Sequence, residues 1–160
     1  MDRATFVQTF GGIFERSPWV AEQAWTARPF SDVATLHAAM CDVVRGAPRE
    51  RRLALLSAHP DLAGKAARAG AMTASSIAEQ ASAGLDRLTD EEYERLARMN
   101  GAYTAKFGFP FIIAVRLHDK GGILAAFERR LGNSVDGEIT TALDQVFAIT
   151  RLRLDALVAS

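Results

Sequence analysis

The sequence predicts an all-α fold, a single compact helical-bundle domain over residues 1–160. Three observations carry that expectation. Apolar residues recur at helical spacing through most of the chain, and start and stop residues bracket these runs. Only one stretch, "FGFPFIIAVRLH" at 107–118, reads like a strand, and a lone strand has no partner to pair with.

The elements follow in order. In "SDVATLHAAMCDVVRG" (31–46), Val33, Leu36, Met40 and Val43 or Val44 share one helical face; Ser31 or Asp32 can cap the start and Gly46 stops it. In "LLSAHPDLAGKA" (55–66), an apolar run of helical character ends at His59, directly before Pro60. Proline disfavours helical geometry in the residue before it, so the imidazole is expected at a helix end. In "LTDEEYERLARMNGAYTAKFG" (88–108), Thr89 precedes Glu92 by three residues in a capping-box pattern. Leu96, Met99, Tyr103 and Phe107 line one face, and Gly108 ends the helix. The run at 107–118 is read as a buried extended turn that leads into helix. In "DGEITTALDQVFAITRLRLDALV" (136–158), Ile139, Leu143, Val146, Thr150 and Leu157 form a stripe. At about 100° per residue, Arg153 lies roughly 40° from the centre of that stripe and Arg151 about 120° from it. One arginine is therefore expected to point inward.

Composition narrows the function classes. The 160 residues are 49% hydrophobic and 24% charged, with 19 basic and 19 acidic side chains, so no net charge draws the chain to nucleic acid or anionic lipid. No run reaches the roughly 18 apolar residues of a spanning helix, so no membrane partner is expected. "MDRATFVQTF" lacks a signal-peptide pattern and "LVAS" is no peroxisomal address. With a single cysteine, Cys41, the expected location is the cytoplasm. His37, His59 and His118 have no metal-ligand spacing and no glycine-rich loop follows a strand, so neither a metal nor a nucleotide cofactor is expected.

Three polar features stand out against this helical background. His59 titrates near neutral pH, which suits acid–base work, although a capped or partly buried histidine at a turn looks the same in sequence. Ser76, Glu79 and Gln80 in "SIAEQ" stand at i, i+3 and i+4. They fit a converging ligand face and equally a capping box with ordinary surface residues. Arg153 fits a fork for a planar anion, and also an arginine that snorkels outward or pairs with a buried acid. An imidazole, a carboxylate and a guanidinium together describe a small site for an anionic substrate. Phe109 and Phe111 read as core. A Gly-Phe-Pro-Phe run outside regular structure nevertheless offers backbone N–H and C=O groups to a flat heterocycle.

Several blocks carry a resemblance to a known family: "FGGIFERSPWVAEQAW" (10–25), "HPDLAGKAA" (59–67), "SIAEQASAGL" (76–85), "MNGAYTAKFGFPFIIAVR" (99–116) and "RLRLDAL" (151–157). Together, and in this order, they closely resemble the OHCU decarboxylases, the 2-oxo-4-hydroxy-4-carboxy-5-ureidoimidazoline decarboxylases of urate breakdown. The resemblance implies a helical bundle of that type and a cofactor-free carboxy-lyase, typically a homodimer. Such an enzyme follows urate oxidase and hydroxyisourate hydrolase and yields (S)-allantoin. Carried onto this chain, it implies His59 and Glu79 as catalytic residues. It implies substrate contacts from Pro60, Ser76, Gln80, the strip Phe111, Ile112, Ile113, Ala114 and Val115, and Arg153. The absence of a peroxisomal signal and of an appended hydrolase domain suggests a bacterial, cytoplasmic member.

Overall fold

The computed structural model describes residues 1–62 and 72–159. Its α-helices, numbered among the described residues, are α1 (Arg3–Phe10), α2 (Trp19–Ala24), α3 (Val33–Arg45), α4 (Arg49–Ser57), α5 (Ala74–Ser82), α6 (Asp90–Phe107), α7 (Lys120–Leu131) and α8 (Val135–Ala159). Two 3-10 turns, Trp25–Ala27 and Val115–Leu117, complete the regular structure, and no strand occurs among the described residues. The all-α expectation holds. Residues 63–67 of the HPDLAGKAA block lie outside the described residues.

The caps act as the sequence predicts. Asp32, rather than Ser31, caps α3 by accepting from the Thr35 N–H at 2.7 Å, and Gly46 closes the helix. Thr89 and Glu92 form the reciprocal capping box of α6, with both bonds at 3.1 Å. Gly108 ends that helix at φ 82°, a left-handed conformation that costs glycine little. The run after it leaves regular structure: Phe109 and residues Phe111 to Val115 are all buried before the 3-10 turn begins. Its apolar character, so like a strand, reflects burial alone.

The chain sorts into two compact units, Met1–Ala58 with Val146–Ser160, and His59–Gln145. In the first, α2 packs on α1 and on α3. Phe6 stacks on Phe30 at 6.0 Å, and Phe14 meets Phe147 edge-on at 6.4 Å. Gly11 follows α1 where a Cβ would collide with the Val7 carbonyl. His37 of α3 bonds to the buried Thr150 hydroxyl of α8 at 2.9 Å, and that hydroxyl also donates to the Phe147 carbonyl at 3.1 Å. The inward threonine of the predicted stripe is thereby satisfied.

The second unit centres on Tyr103 of α6, which is fully buried among Phe107, Phe109, Phe111 and Phe127 at centroid distances of 4.5 to 5.9 Å. Burying each such side chain contributes about 1.5–3 kcal/mol of transfer free energy. The predicted face of α6 needs one correction. Met99 is only half-buried and Asn100 is buried in its place, because the Asn100 amide donates to the Leu62 carbonyl at 3.0 Å. Likewise Leu157 is 38% exposed and Leu154 takes the inward position near the end of α8.

These elements make two stability changes predictable. Thr89→Ala removes half of the capping box and should cost about 1 kcal/mol in urea unfolding, with an unchanged m-value. Burial, followed by the nearby Arg151 charge, holds the His37 pKa below its ordinary value. The unfolded chain therefore binds more protons than the folded one as pH falls through the unfolded value of about 6.5, and stability drops there. His37→Gln keeps a partner for Thr150 and does not titrate. It should lose less stability than the wild type between about pH 7.5 and about pH 5.5.

Candidate functional site

The segment bearing His59 begins where α4 stops. Ala58 closes that helix, its N–H donating to the Ala54 and Leu55 carbonyls at 3.0 and 3.2 Å, and His59 and Pro60 then leave helical geometry. His59 stands at a helix end, as expected, but it is buried, with 7% of its surface exposed. Pro60 beside it is half-buried. The next two carbonyls are clamped by side chains from two helices. Gln80 of α5 donates to Asp61 at 3.1 Å, and Asn100 of α6 donates to Leu62. Burial raises the Asp61 pKa above the ordinary carboxylate value.

The start of α5 decides between the two readings of "SIAEQ". Thr73 is the cap, accepting from the Ser76 N–H at 3.3 Å, so Ser76 lies inside the first turn and is no capping residue. The capping-box reading of Ser76 and Glu79 is therefore overturned. Ser76 and Gln80 are 4% and 6% exposed and Glu79 is half-buried, whereas Ile77 is 48% exposed. An amphipathic helix at a protein surface normally turns its isoleucine inward and its serine and glutamine outward. Here the polar face is the buried one, and α5 packs on the turn that begins at Val115.

The strip from Phe111 to Val115 is buried along its whole length. Phe111 stacks flat on Phe127 at 3.9 Å, with Arg130 over its ring at 4.3 Å. Arg130 also donates to the Ile112 carbonyl at 2.6 Å, and the Ala114 N–H donates to the Gln145 side chain at 3.0 Å. The second unit thus brings together the His59 segment, the polar face of α5 and the strip.

Arg153 belongs to the first unit. Its side chain is 7% exposed and inward, as the helical wheel predicts, while Arg151 is exposed and pairs with Asp155 at 3.1 Å. The Arg153 guanidinium donates to the Glu15 carboxylate at 2.8 Å and to the Ile13 carbonyl at 3.3 Å. Glu15 itself is 2% exposed and precedes Arg16, whose φ of 48° is unusual for a side-chain-bearing residue.

Sequence reasoning passed over Glu15, Asn100, Arg130, Glu138 and Gln145. A charge inside an apolar run, as with Glu15 between Phe14 and the Ser17-Pro18-Trp19 turn, is the signal that could have found the first. The others sit on helix faces whose inward direction the pattern marks only to within a residue. Cys41, pushed up to about 11 by burial, is a poor nucleophile.

Comparison with known proteins points to one family. Residues 1–155 match the protein-family model described as OHCU decarboxylase. A 2-oxo-4-hydroxy-4-carboxy-5-ureidoimidazoline decarboxylase of Haloferax volcanii is 49% identical over 154 residues, covering 96% of this chain and 89% of that protein. Among solved structures, an (S)-allantoin synthase superposes with a TM-score of 0.78 at 34% identity. It covers 98% of this chain, which spans about half of that longer one, 51%. An OHCU decarboxylase crystallised in the presence of (S)-allantoin shares the fold, with a TM-score of 0.72 at 24% identity over 89% of this chain and 92% of that one. With the family model spanning nearly the whole chain and a relative at this identity and coverage, the chain belongs to the OHCU decarboxylase family.

Proposed function

We propose that residues 1–160 form one decarboxylase domain that converts 2-oxo-4-hydroxy-4-carboxy-5-ureidoimidazoline to (S)-allantoin, the last step from urate to allantoin. The observation that supports this reading best is the inverted face of α5. Ser76 and Gln80 are buried beside the segment that bears His59, an arrangement with no use in a surface helix and an evident one in a polar ligand site.

The substrate explains why so few groups suffice. Its carboxylate is attached to a ring carbon that carries a hydroxyl and adjoins a C=N bond. When the C–COO⁻ bond breaks and CO₂ departs, the electron pair forms a C=C bond in the ring, and the former C=N pair moves to nitrogen, which takes a proton. The resulting enol then gains a proton on the ureido-bearing carbon and loses its hydroxyl proton to become the product carbonyl. One proton is consumed overall, and delivery to one face fixes the enantiomer. The ring itself is the electron sink, so the reaction runs without cofactor or metal. The protein orients, excludes water and moves protons.

His59 hydrogen-bonds the hydroxyl, holds the scissile bond perpendicular to the conjugated plane together with Glu79, and delivers the proton. Pro60 borders the ring, and the Phe111 to Val115 strip contacts it through backbone groups. Ser76, Gln80 and Arg153 bind the polar groups of the ring and ureido tail. The pairing of Arg153 with Glu15 suits this role, because a guanidinium already balanced by a carboxylate is better matched to neutral carbonyl oxygens than to the departing carboxylate. Tight charge pairing to that carboxylate would stabilise the ground state and oppose loss of CO₂. The functional form is a homodimer in the cytoplasm, supplied by urate oxidase and hydroxyisourate hydrolase. Among the described residues no helix is long and apolar enough to cross a membrane.

The test generates the unstable substrate from urate with those two enzymes and follows optical activity by circular dichroism. Uncatalysed decay gives racemic allantoin. A rapid rise of the (S) signal is expected. His59→Ala and Glu79→Gln should lower turnover by about 10²- to 10⁴-fold with helicity intact, and near-normal turnover in both would sink the assignment. Slow racemic product under conditions where the substrate binds would instead mark a non-catalytic binding module. Arg153→Lys keeps the charge but not the fork, so it should raise KM more than it lowers kcat; a changed kcat at constant KM would contradict its binding role.

A further inference from the structure

Among the described residues no strand pairs with the Phe111 to Val115 strip; the Ala114 and Val115 carbonyls enter the following 3-10 turn, accepting from the Leu117 and His118 N–H groups, and two further peptide groups are held, each by one side chain. The Arg130 guanidinium of α7 donates to the Ile112 carbonyl at 2.6 Å, and the Gln145 side-chain oxygen of α8 accepts from the Ala114 N–H at 3.0 Å. In extended backbone the carbonyl of one residue and the N–H two residues on face the same edge, while the N–H and C=O of the residue between them face the opposite edge. Residues 110–114 contain neither turn nor bend, and on such a course Arg130 and Gln145 occupy one edge while the Ile113 peptide groups are turned to the other. Ile113 is 4% exposed, and within the described structure neither its N–H nor its C=O makes a hydrogen bond. Buried peptide groups are rarely left in that condition, and an adjacent donor and acceptor on one edge match the N–H and C=O of a cyclic urea.

The anchors are themselves fixed. Arg130 is 5% exposed and pairs at 2.6 Å with Glu138, whose carboxylate is fully buried and also accepts from the Tyr103 hydroxyl at 2.6 Å and the Asn133 amide at 2.9 Å. Bonded to Glu138 through Nε and lying over the Phe111 ring, the guanidinium is kept against the Ile112 carbonyl. Gln145 sits on α8 two turns after Glu138, so one helix carries one support of the strip and the carboxylate that anchors the other.

We infer that Gln145 and Arg130 are positioning residues for the decarboxylation, holding one edge of the strip so that the Ile113 N–H and C=O are presented as a donor–acceptor pair to the substrate's cyclic urea. This rests on the reading of the strip as a substrate contact under the proposed function. Neither side chain needs to touch the substrate; each acts through the peptide it holds.

Gln145 is the residue to change, because it is half-buried and uncharged, whereas removing Arg130 would strand a buried carboxylate. Gln145→Met keeps the length and loses the acceptor; Gln145→Glu keeps an oxygen in the same place. Steady-state kinetics on substrate generated in place, with thermal unfolding run in parallel, separates the roles. The expected result is a KM about tenfold higher in Gln145→Met with a smaller change in kcat, an unchanged unfolding midpoint, and recovery to within about threefold of wild type in Gln145→Glu. Unchanged kinetics in Gln145→Met, activity lost only in proportion to folded protein, or no recovery in Gln145→Glu would overturn the inference. Failure of the wild type to make (S)-allantoin would instead overturn the proposed function and this inference with it.

Discussion

The Glu138 carboxylate is the constraint on which the second unit depends. It has no exposed surface, and it is met by Arg130, Tyr103 and Asn133. Taking a carboxylate and a guanidinium out of water costs several kcal/mol per ion, and their attraction offsets that cost only when the remaining hydrogen-bonding capacity is filled. For the carboxylate it is filled by a tyrosine from α6, an arginine from α7 and an asparagine from the turn before α8, while one terminal nitrogen of the guanidinium has the ionic contact alone. A pair of this kind is a poor source of net stability, because apolar side chains of similar volume would do as well. What apolar side chains cannot do is fix directions. The pair locks α6, α7 and α8 at one rotation each, and the same guanidinium reaches the backbone of the strip. Tyr103 is drawn into the arrangement so fully that burial and the neighbouring carboxylate push its phenol far above the ordinary range, which keeps it a donor at any pH the protein meets.

The sequence shows the frame of this arrangement better than its centre. Caps and periods are local signals, and they were legible: Asp32, the Thr89–Glu92 box and Gly108 stand where spacing puts them, because an N-cap needs only a side-chain oxygen within three residues of the N–H it satisfies. The rotation of Arg153 was legible for the same reason, about 3.6 residues per turn being enough to part it from Arg151. The switch from Met99 to Asn100 was not. Both lie near the inward direction of α6, and what selects Asn100 is the carbonyl of Leu62, from a segment far back in the chain, which no periodicity encodes.

The candidate site shows the same division. His59 before Pro60 announces a helix end locally, and the structure adds that the end is buried. "SIAEQ" could not be resolved from spacing, since Ser76 and Glu79 fit a capping box as well as a ligand face. Thr73 resolves it by taking the cap position, and only the tertiary setting tells which of two capable residues does so. The strip was legible as buried and irregular, yet the supports that hold it, Gln145 and Arg130, are polar residues on amphipathic helices and look like solvent-facing side chains until the fold is known. Family resemblance implies roles for His59, Ser76, Glu79, Gln80 and Arg153 that spacing leaves open. It was silent on the residues that act one step removed.

That silence has a physical reason. A decarboxylation whose electron sink is the substrate ring asks little of the protein in the way of charge and much in the way of orientation, since the scissile bond must stand perpendicular to the plane that receives its electrons. Groups that touch the ring can be few and chemically ordinary, including peptide N–H and C=O. Their precision then comes from whatever restrains them. An irregular buried strip is soft by itself, and a carbonyl free to rotate by a few tens of degrees would bind substrate and transition state alike, contributing to affinity and nothing to rate. Side chains that fill one edge of the strip convert flexible backbone into a fixed recognition surface. A costly buried ion pair behind them is reasonable under the proposed role of the strip, because what it provides is rigidity of that backbone rather than stability of the fold.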